Sequence, residues 1–524
     1  MTAGTAARRH GRTATSRAWA LTGALCLCAA VPAWPQCPDG TPPPCGGRAA
    51  RTAPPSLAVL PFQSVGGDTA NVYFAQGLSD ELTTALAHVG GLRVIATGTS
   101  FGSGGADAVR AGRTLRVAAL LDGRVRRDGD RIRVVTQLTN AQSGVLMWSS
   151  SYEREVRDVF AVQDELARDI VAALQVVIHG GHAAPPAAAA PATSRRTETA
   201  SLEAYDLLLR GRYFFLRRGA GVARSIPYFE RAVALDSGYA RAWANLGNAW
   251  VLLPLFTPIP LDSALPRARA AIAMALRLDP TSAEAHTAAG FEAGLTSDWP
   301  RFERELRRAI ALDSTLPDPQ PALASALASM GRFDEAIAQG YRAVANDPAR
   351  SMSASVLSHV LLAAGRYDQA VALARRAVEM DSTARAAWAA LALAEWFAGR
   401  PLVARAAAER FPPIPATTGP LTFVRAALGG HDTADALVRR LEDEGANNRE
   451  AAVGITVAWL AVGDTTRALD ALERMARLRV PIAFVGSPFF GQPAFDIVRA
   501  SPRFAAAVRS YGLDERAFVR PPGR

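Results

Sequence analysis

The segment Gly98-Thr99-Ser100-Phe101-Gly102 sets a serine between two glycines directly after a predicted strand, the spelling of a nucleophile elbow. Acyl transfer from such a serine needs a histidine to take its proton and an acid to orient that histidine. The next histidines downstream, His179 and His182, both fall in a stretch of linker composition, so no triad closes. The neighbouring glycines from Gly102 to Gly105 lack the Gly-Lys-Ser/Thr that grips phosphates and Mg²⁺, which sets a phosphate loop aside. His179-Gly180-Gly181-His182 offers two metal ligands on a tether, enough for weak capture only. The expectation is therefore a chain with no catalytic, cofactor or metal site, and not an enzyme.

The four cysteines carry a different chemistry. Cys37 and Cys45 bracket the turn-prone Pro38-Asp39-Gly40-Thr41-Pro42-Pro43-Pro44, a loop that a disulfide would close in an oxidising compartment; unpaired thiols are the alternative. Two close ligands do not make a zinc site. Cys26 and Cys28 each follow a leucine and Cys37 follows Gln36, which argues against lipoprotein processing. Upstream, Met1 to Arg17 is basic and polar, Ala18 to Ala33 is apolar, and Val31-Pro32-Ala33 offers small residues to a signal peptidase. Sixteen residues are few for a bilayer span of roughly 20. Residues 1–33 are thus expected to be a cleaved export signal and the protein periplasmic or exported. The alternative is an uncleaved anchor in the inner membrane, the only case in which membrane contact is expected.

The elements that surround these residues fall into separate units, as 524 residues require. The net charge of +10 is all arginine over acid, because the chain has no lysine. Four arginines and no acid lie in residues 1–33, so removing that segment leaves +6. The other arginines are interleaved with Asp and Glu, which reads as solvated helix faces and not as a nucleic-acid footprint.

Residues 34–54 form a Cys/Pro-rich tail. In residues 55–178, Ser56 to Phe62 reads as a buried strand, Leu78, Leu82 and Leu86 as one helix stripe, and Leu92 to Thr97 as a second strand. A short helix around Ala106 to Leu115 leads into Val117 to Arg126, and Asp128-Gly129 supplies a hairpin turn. Ile132, Val134, Thr136 and Leu138 then alternate with polar residues, the period of a half-buried strand. Asn140 to Gly144 turns into Val145 to Trp148. The last helix carries Val162, Leu166, Ile170 and Leu174 on one face. The order β-α-β-α-β-β-β-α predicts a small mixed sheet packed by helices.

The runs Leu57 to Phe62, Tyr73 to Leu82, Asp122 to Gly129, Met147 to Arg154 and Val159 to Ala167 resemble, in order, the TolB-like (FlgO-like) domain. That resemblance covers nearly all of 56–178 and implies a fold and an accessory role, with no established reaction. Such domains often precede tetratricopeptide repeats in bacterial proteins.

Residues 179–200 have the Gly, Ala and Pro content of a linker. Beyond them a 34-residue period appears. Gly331, Gly365 and Gly399 stand 34 apart, each with a small residue five places on (Ala336, Ala370, Ala404); Gly429 with Ala434 and Gly463 with Ala468 repeat the spacing. Asp279, Asp313, Asp347 and Asp381 keep the same interval between helix pairs. With Trp243, Leu246, Gly247 and Trp250, these markers resemble tetratricopeptide repeats over most of 201–478, a helical solenoid. Seven repeats are expected, with a diverged pair between 419 and 443 as a possible eighth. Extra residues near Arg218 and the Pro-rich insertion Leu253 to Asp262 depart from the standard length. The insertion is expected to be a surface loop, with a share in a binding site as the alternative. Residues 479–524, rich in Phe, are expected to cap the last repeat.

Stacked helix pairs form a superhelix with a concave groove, and such grooves take peptides or helices of partner proteins. By register the groove positions include Arg241, Asn248, Phe291, His359 and Trp396. No basic cluster for a C-terminal carboxylate is visible in the sequence. The expected function is an envelope scaffold or adaptor that binds a protein or peptide partner. A sensor, with ligand bound by 55–178 and relayed by the solenoid, is the alternative.

Overall fold

A computed structural model describes residues 56–65, 71–87, 89, 92–96, 108–129, 131–155, 159–178, 199, 201–257, 259–410, 419–443, 449–484 and 489–518. Ser100, His179, His182, Cys37, Cys45 and residues 1–33, expected to be an export signal, lie outside these residues. Among the described residues, no helix is long and apolar enough to cross a membrane.

Strand β1 (Ser56–Val59) is buried along its whole length, which a continuous apolar run permits where both faces of a sheet are covered. It lies parallel to and between β3 (Arg93–Ala96) and β4 (Ala119–Asp128). Gly129, at φ 57°, turns β4 into the antiparallel β5 (Arg131–Asn140), and β6 (Leu146–Glu155) forms the edge. A two-residue β2 (Gln63–Ser64) also pairs with β4. Along β5, Ile132, Val134, Thr136 and Leu138 are buried while Arg131, Arg133 and Gln137 are exposed, so the pleat sorts the side chains. Helices α1 (Val72–Ala87) and α3 (Val159–Ile178) bury Leu78, Leu82 and Leu86, and Leu166, Ile170 and Leu174, in one core with Leu57 and Val59. Helix α2 (Ala108–Leu115) places Leu115 with Ala58, Ile95 and Leu120 in a second, smaller core. The element order is the one read from the sequence, with β2 added.

Between 202 and 477 the described chain is helical and paired. The pairs are α4 (Leu202–Leu216) with α5 (Ala220–Leu235), α6 (Ala240–Leu252) with α7 (Leu261–Leu278), and α8 (Ala283–Leu295) with α9 (Trp299–Leu312). Next come α10 (Pro319–Ser329) with α11 (Phe333–Asn346), α12 (Ser351–Ala363) with α13 (Tyr367–Met380), and α14 (Arg385–Phe397) with α15 (Pro401–Glu409). Helix α16 (Gly419–Asp443) is itself a pair, broken at Gly430 (φ 70°), and α17 (Arg449–Ala461) pairs with α18 (Thr465–Arg477). That break lies one residue beyond the expected marker Gly429.

The repeat markers have physical work at these positions. Gly331, Gly365, Gly399 and Gly463 all turn one helix into its partner at φ between 75° and 79°, where a Cβ is strained. Ala336, Ala370, Ala404, Ala434 and Ala468 are fully buried where the paired helices meet. Asp279, Asp313 and Asp381 each end a helix in extended backbone, and their Oδ1 atoms accept the amide N–H two residues on at 2.8–2.9 Å. The indoles of Trp243 and Trp388 donate at 2.9 Å to the carbonyls of Ser237 and Ser382, each the serine after an aspartate, Asp236 or Asp381, that ends a helix. The array is therefore a tetratricopeptide-type solenoid by its own spacing, turns and repeated contacts.

The C-terminal segment reaches further than the last repeat. Arg503 binds Glu473 and Asp470 of α18, both at 2.6 Å, and the Tyr511 hydroxyl donates to the Met475 carbonyl at 3.1 Å. The same segment receives the Trp299 indole N–H of α9 on the Tyr511 carbonyl at 2.7 Å. Phe489, Phe490, Phe495, Phe504 and Phe518 are buried and stack edge-on or tilted, with Gly491 against Phe333 and Ala363. The segment thus joins α18 to the middle of the array, which corrects the expectation of a simple end cap.

The α/β unit packs directly on the solenoid. Tyr205 and Leu209 of α4 enter the core of α1 and α3, and Gly77 leaves the room that Leu209 fills: a Cβ there would lie 2.7 Å from its methyl. Ala349, between α11 and α12, is buried in the small core around Leu115. Asp206 of α4 accepts from the Tyr73 hydroxyl at 3.0 Å and from Arg127 at 3.2 Å. Glu81 of α1 meets Arg241 of α6 at 2.6 Å.

Candidate functional site

First helices of successive pairs turn one face inward, and there they surround a cavity of about 440 Å³. Phe291 comes from α8, Pro321 and Ala322 from α10, and Val356 and His359 from α12. Ala389 of α14 and Val453 of α17 continue the wall, and Val480 and Pro481 from the C-terminal segment close it. Helix α6 ends at the cavity with Leu252, and the insertion after it supplies Pro254, Leu255 and Phe256, with Leu261 at the start of α7. It lines the cavity, so it does more than the expected surface loop. Phe256 is 38% exposed and Met352 43%, and both line the cavity, which marks its mouth.

One part of the wall is charged. Asp318, at the entry to α10, receives Arg218 on Oδ2 and Arg350 on Oδ1, each at 2.5 Å. Arg350 also donates to the Pro317 carbonyl. Burial alone would raise the Asp318 carboxyl, but the two guanidiniums outweigh it and hold it well below the usual carboxylate range. The same pairing raises Arg350 against its own burial. Just behind, burial pushes Asp347 up to about 6 in spite of Arg350 and two backbone N–H groups. His359 is 9% exposed, and burial lowers its imidazole to about 4, so it is neutral at physiological pH. Its Nε2 and the Nη1 of Arg218 are buried without a hydrogen-bond partner in the protein.

The five groove residues expected from the register separate into different places. Phe291 and His359 line the cavity together. Asn248, with a buried unpartnered Oδ1, lines a smaller neighbouring cavity of about 70 Å³ with Phe215, Glu284 and Thr287. Arg241 is no open groove residue: it is buried between Glu81 of the α/β unit and Glu284, at 2.6 and 3.2 Å. Its charge holds the two units together, a role that depends on a contact 160 residues away in sequence. Trp396 packs edge-on to Phe423 at 6.4 Å and does not line the cavity. Sequence reading missed Arg218, Asp318 and Arg350, which stand in no motif and meet only when the first and fourth helix pairs come together in the array. The sequence showed no basic cluster because its two arginines come from the turn between α4 and α5 and the connection between α11 and α12. The extra residues near Arg218 were the one available signal.

No family model matches the chain. Among curated proteins, one from Rhizobium meliloti (strain 1021) named "Putative adenylate cyclase 3" is 38% identical over 199 residues, which are 37% of this chain and 32% of that protein. The chain spans about a third of that relative's length. This match corrects the expectation that the chain is not an enzyme, because the relative carries an enzyme's name. The expectation rested on a search for a triad, a metal cluster and a phosphate loop, and that search does not reach chemistry assembled in another way.

Solved structures similar to part of this chain include Pseudomonas aeruginosa PilF, at 19% identity over 40% of this chain and 92% of that one (TM-score 0.32). A tetratricopeptide repeat protein of Thermus thermophilus is 17% identical over 37% of this chain and 99% of its own (TM-score 0.32). One from Parabacteroides merdae is 10% identical over 49% and 99% (TM-score 0.35).

Proposed function

We propose that this chain is a protein-interaction adaptor of the bacterial cell envelope, in which a TolB-like domain is seated on a tetratricopeptide solenoid that holds a partner protein or peptide. The export-signal reading of residues 1–33 supports the compartment. The observation that carries the adaptor reading is the inward face of eight stacked helix pairs, with apolar side chains exposed at its rim. Extended concave surfaces of this kind bind segments of other proteins. The test is affinity capture from an envelope extract with the full chain as bait, beside a Phe256→Asp/Met352→Asp chain. A protein held by the first and lost by the second supports the reading; recovery of the same proteins by both sinks it.

A second reading is favoured by the Rhizobium relative: the chain serves cyclic-nucleotide signalling, as a cyclase or as a unit of one. Purified chain incubated with ATP and Mg²⁺ or Mn²⁺ would be assayed for cyclic AMP. Product above a heat-killed control supports the catalytic form, and none over a long incubation removes it.

A further inference from the structure

We propose that the cavity inside the solenoid binds one aliphatic carboxylate, with its chain among Leu252, Leu255, Phe291 and Val356 and its head on Arg218. This goes beyond the adaptor reading, since it concerns a small molecule held by the chain alone.

The size comes first. About 440 Å³ is the volume of a small-molecule pocket, for which roughly 300–1,000 Å³ is usual. Its walls are mainly Leu, Phe, Pro, Val and Ala, which favour an apolar body. An unmet hydrogen bond sets the head group. Two of the lining residues are cations, Arg218 and Arg350, and one is an anion, Asp318; Asp347, outside the lining, offsets Arg350 above about pH 6, so near neutral pH the four charges balance. Arg350 is taken up by Asp318 and the Pro317 carbonyl. Arg218 gives Nη2 to Asp318 and keeps Nη1 buried and unpartnered. A buried guanidinium N–H without an acceptor is costly, and a carboxylate oxygen is the acceptor that would satisfy it best.

Two further observations point the same way. His359 is nine-tenths buried, lines the cavity and holds Nε2 unpartnered, a second polar contact for a ligand in an otherwise apolar wall. Arg218 itself sits at φ 53°, a left-handed backbone that non-glycine residues rarely adopt. That turn, with the extra residues beside it, points the guanidinium at Asp318 and the cavity. The unpartnered Nη1 of Arg218 suits one carboxylate group.

The test is calorimetric titration of the purified full-length chain with decanoate, decanol and decyltrimethylammonium, each below its micelle concentration. Decanoate is expected to bind one to one, decanol at least tenfold more weakly, and the cation not at all. From hexanoate upward, affinity should rise about fourfold per methylene, the transfer value of a buried CH₂, until the cavity is filled. Arg218→Gln should weaken decanoate at least tenfold and leave decanol unchanged, while Arg218→Lys, which keeps the charge on Asp318, should hold decanoate within a few-fold of wild type. Equal binding of decanoate and decanol, uptake of many molecules per chain, or binding of a leucine-ended peptide with a free carboxylate in place of decanoate would each overturn the proposal.

Discussion

Asp318 and Asp347 both interact with Arg350, and their surroundings push them in opposite directions. Two guanidiniums hold Asp318 ionised, so its contribution to stability is complete above the ordinary carboxylate range and is lost only as pH falls through its depressed folded value. Asp318→Ala leaves two arginines facing each other and should cost about 3–5 kcal/mol in urea unfolding at pH 7. Asp347, raised to about 6 by burial, behaves the other way. Its folded state holds the proton more tightly than the unfolded chain, so it favours folding below the ordinary range and loses that as pH rises through about 6. Asp347→Asn should therefore gain relative to wild type at pH 8, by up to about 3 kcal/mol, and show little gain at pH 4. His359 adds an opposing slope: with its folded value lowered to about 4, stability is lost as pH falls from about 6.5 toward 4. Replacing His359 with Leu should remove that loss, as followed by thermal melts across the same range.

At the scale of elements, the turn between paired helices is the repeated device. Gly365 stands at φ 76° with open space where a Cβ would lie, whereas at Gly331, also φ 76°, a Cβ would come 2.4 Å from the Ala517 methyl. Gly365→Ala should cost about 1–2 kcal/mol, the left-handed penalty alone. Gly331→Ala should cost more, because the last turn of the C-terminal segment must also move away. Comparing the two by denaturant midpoint separates backbone strain from the docking of that segment. These glycines were legible because period and residue type coincide at them. What Ala517 does at Gly331 was not, since nothing in either local sequence refers to the other.

At the scale of the molecule, the C-terminal segment binds α18 through Arg503 and Tyr511 and α9 through Trp299, so it ties the end of the array to its middle. Deleting residues 479–524 removes five buried phenylalanines, each contributing roughly 1.5–3 kcal/mol of burial. The truncated chain should melt at a lower temperature and show a larger radius of gyration by small-angle scattering; an unchanged radius would mean that the array keeps its curvature unaided. The α/β unit is held at a second place. Arg241→Ala should loosen it from the solenoid, read as faster release of that unit under limited proteolysis, with the helix content kept.

Local physics made much of this protein readable from the chain alone. Period two along β5, period four along α1, and the 34-residue recurrence of Gly, Ala and Asp each follow from backbone geometry, which acts on neighbours in sequence. Those rules predicted a small mixed sheet and an array of helix pairs, and they placed Phe291 and His359 on the inward face. They had no hold on Arg241, whose partner Glu81 belongs to the other unit, or on Asp318, whose two arginines come from separate turns. Charge pairs, cavity walls and the closing contact of the C-terminal segment depend on how repeats stack, and a small rotation per repeat accumulates over the array. The sequence determined the units and their periodicity; the tertiary structure alone decided which distant side chains share one cavity.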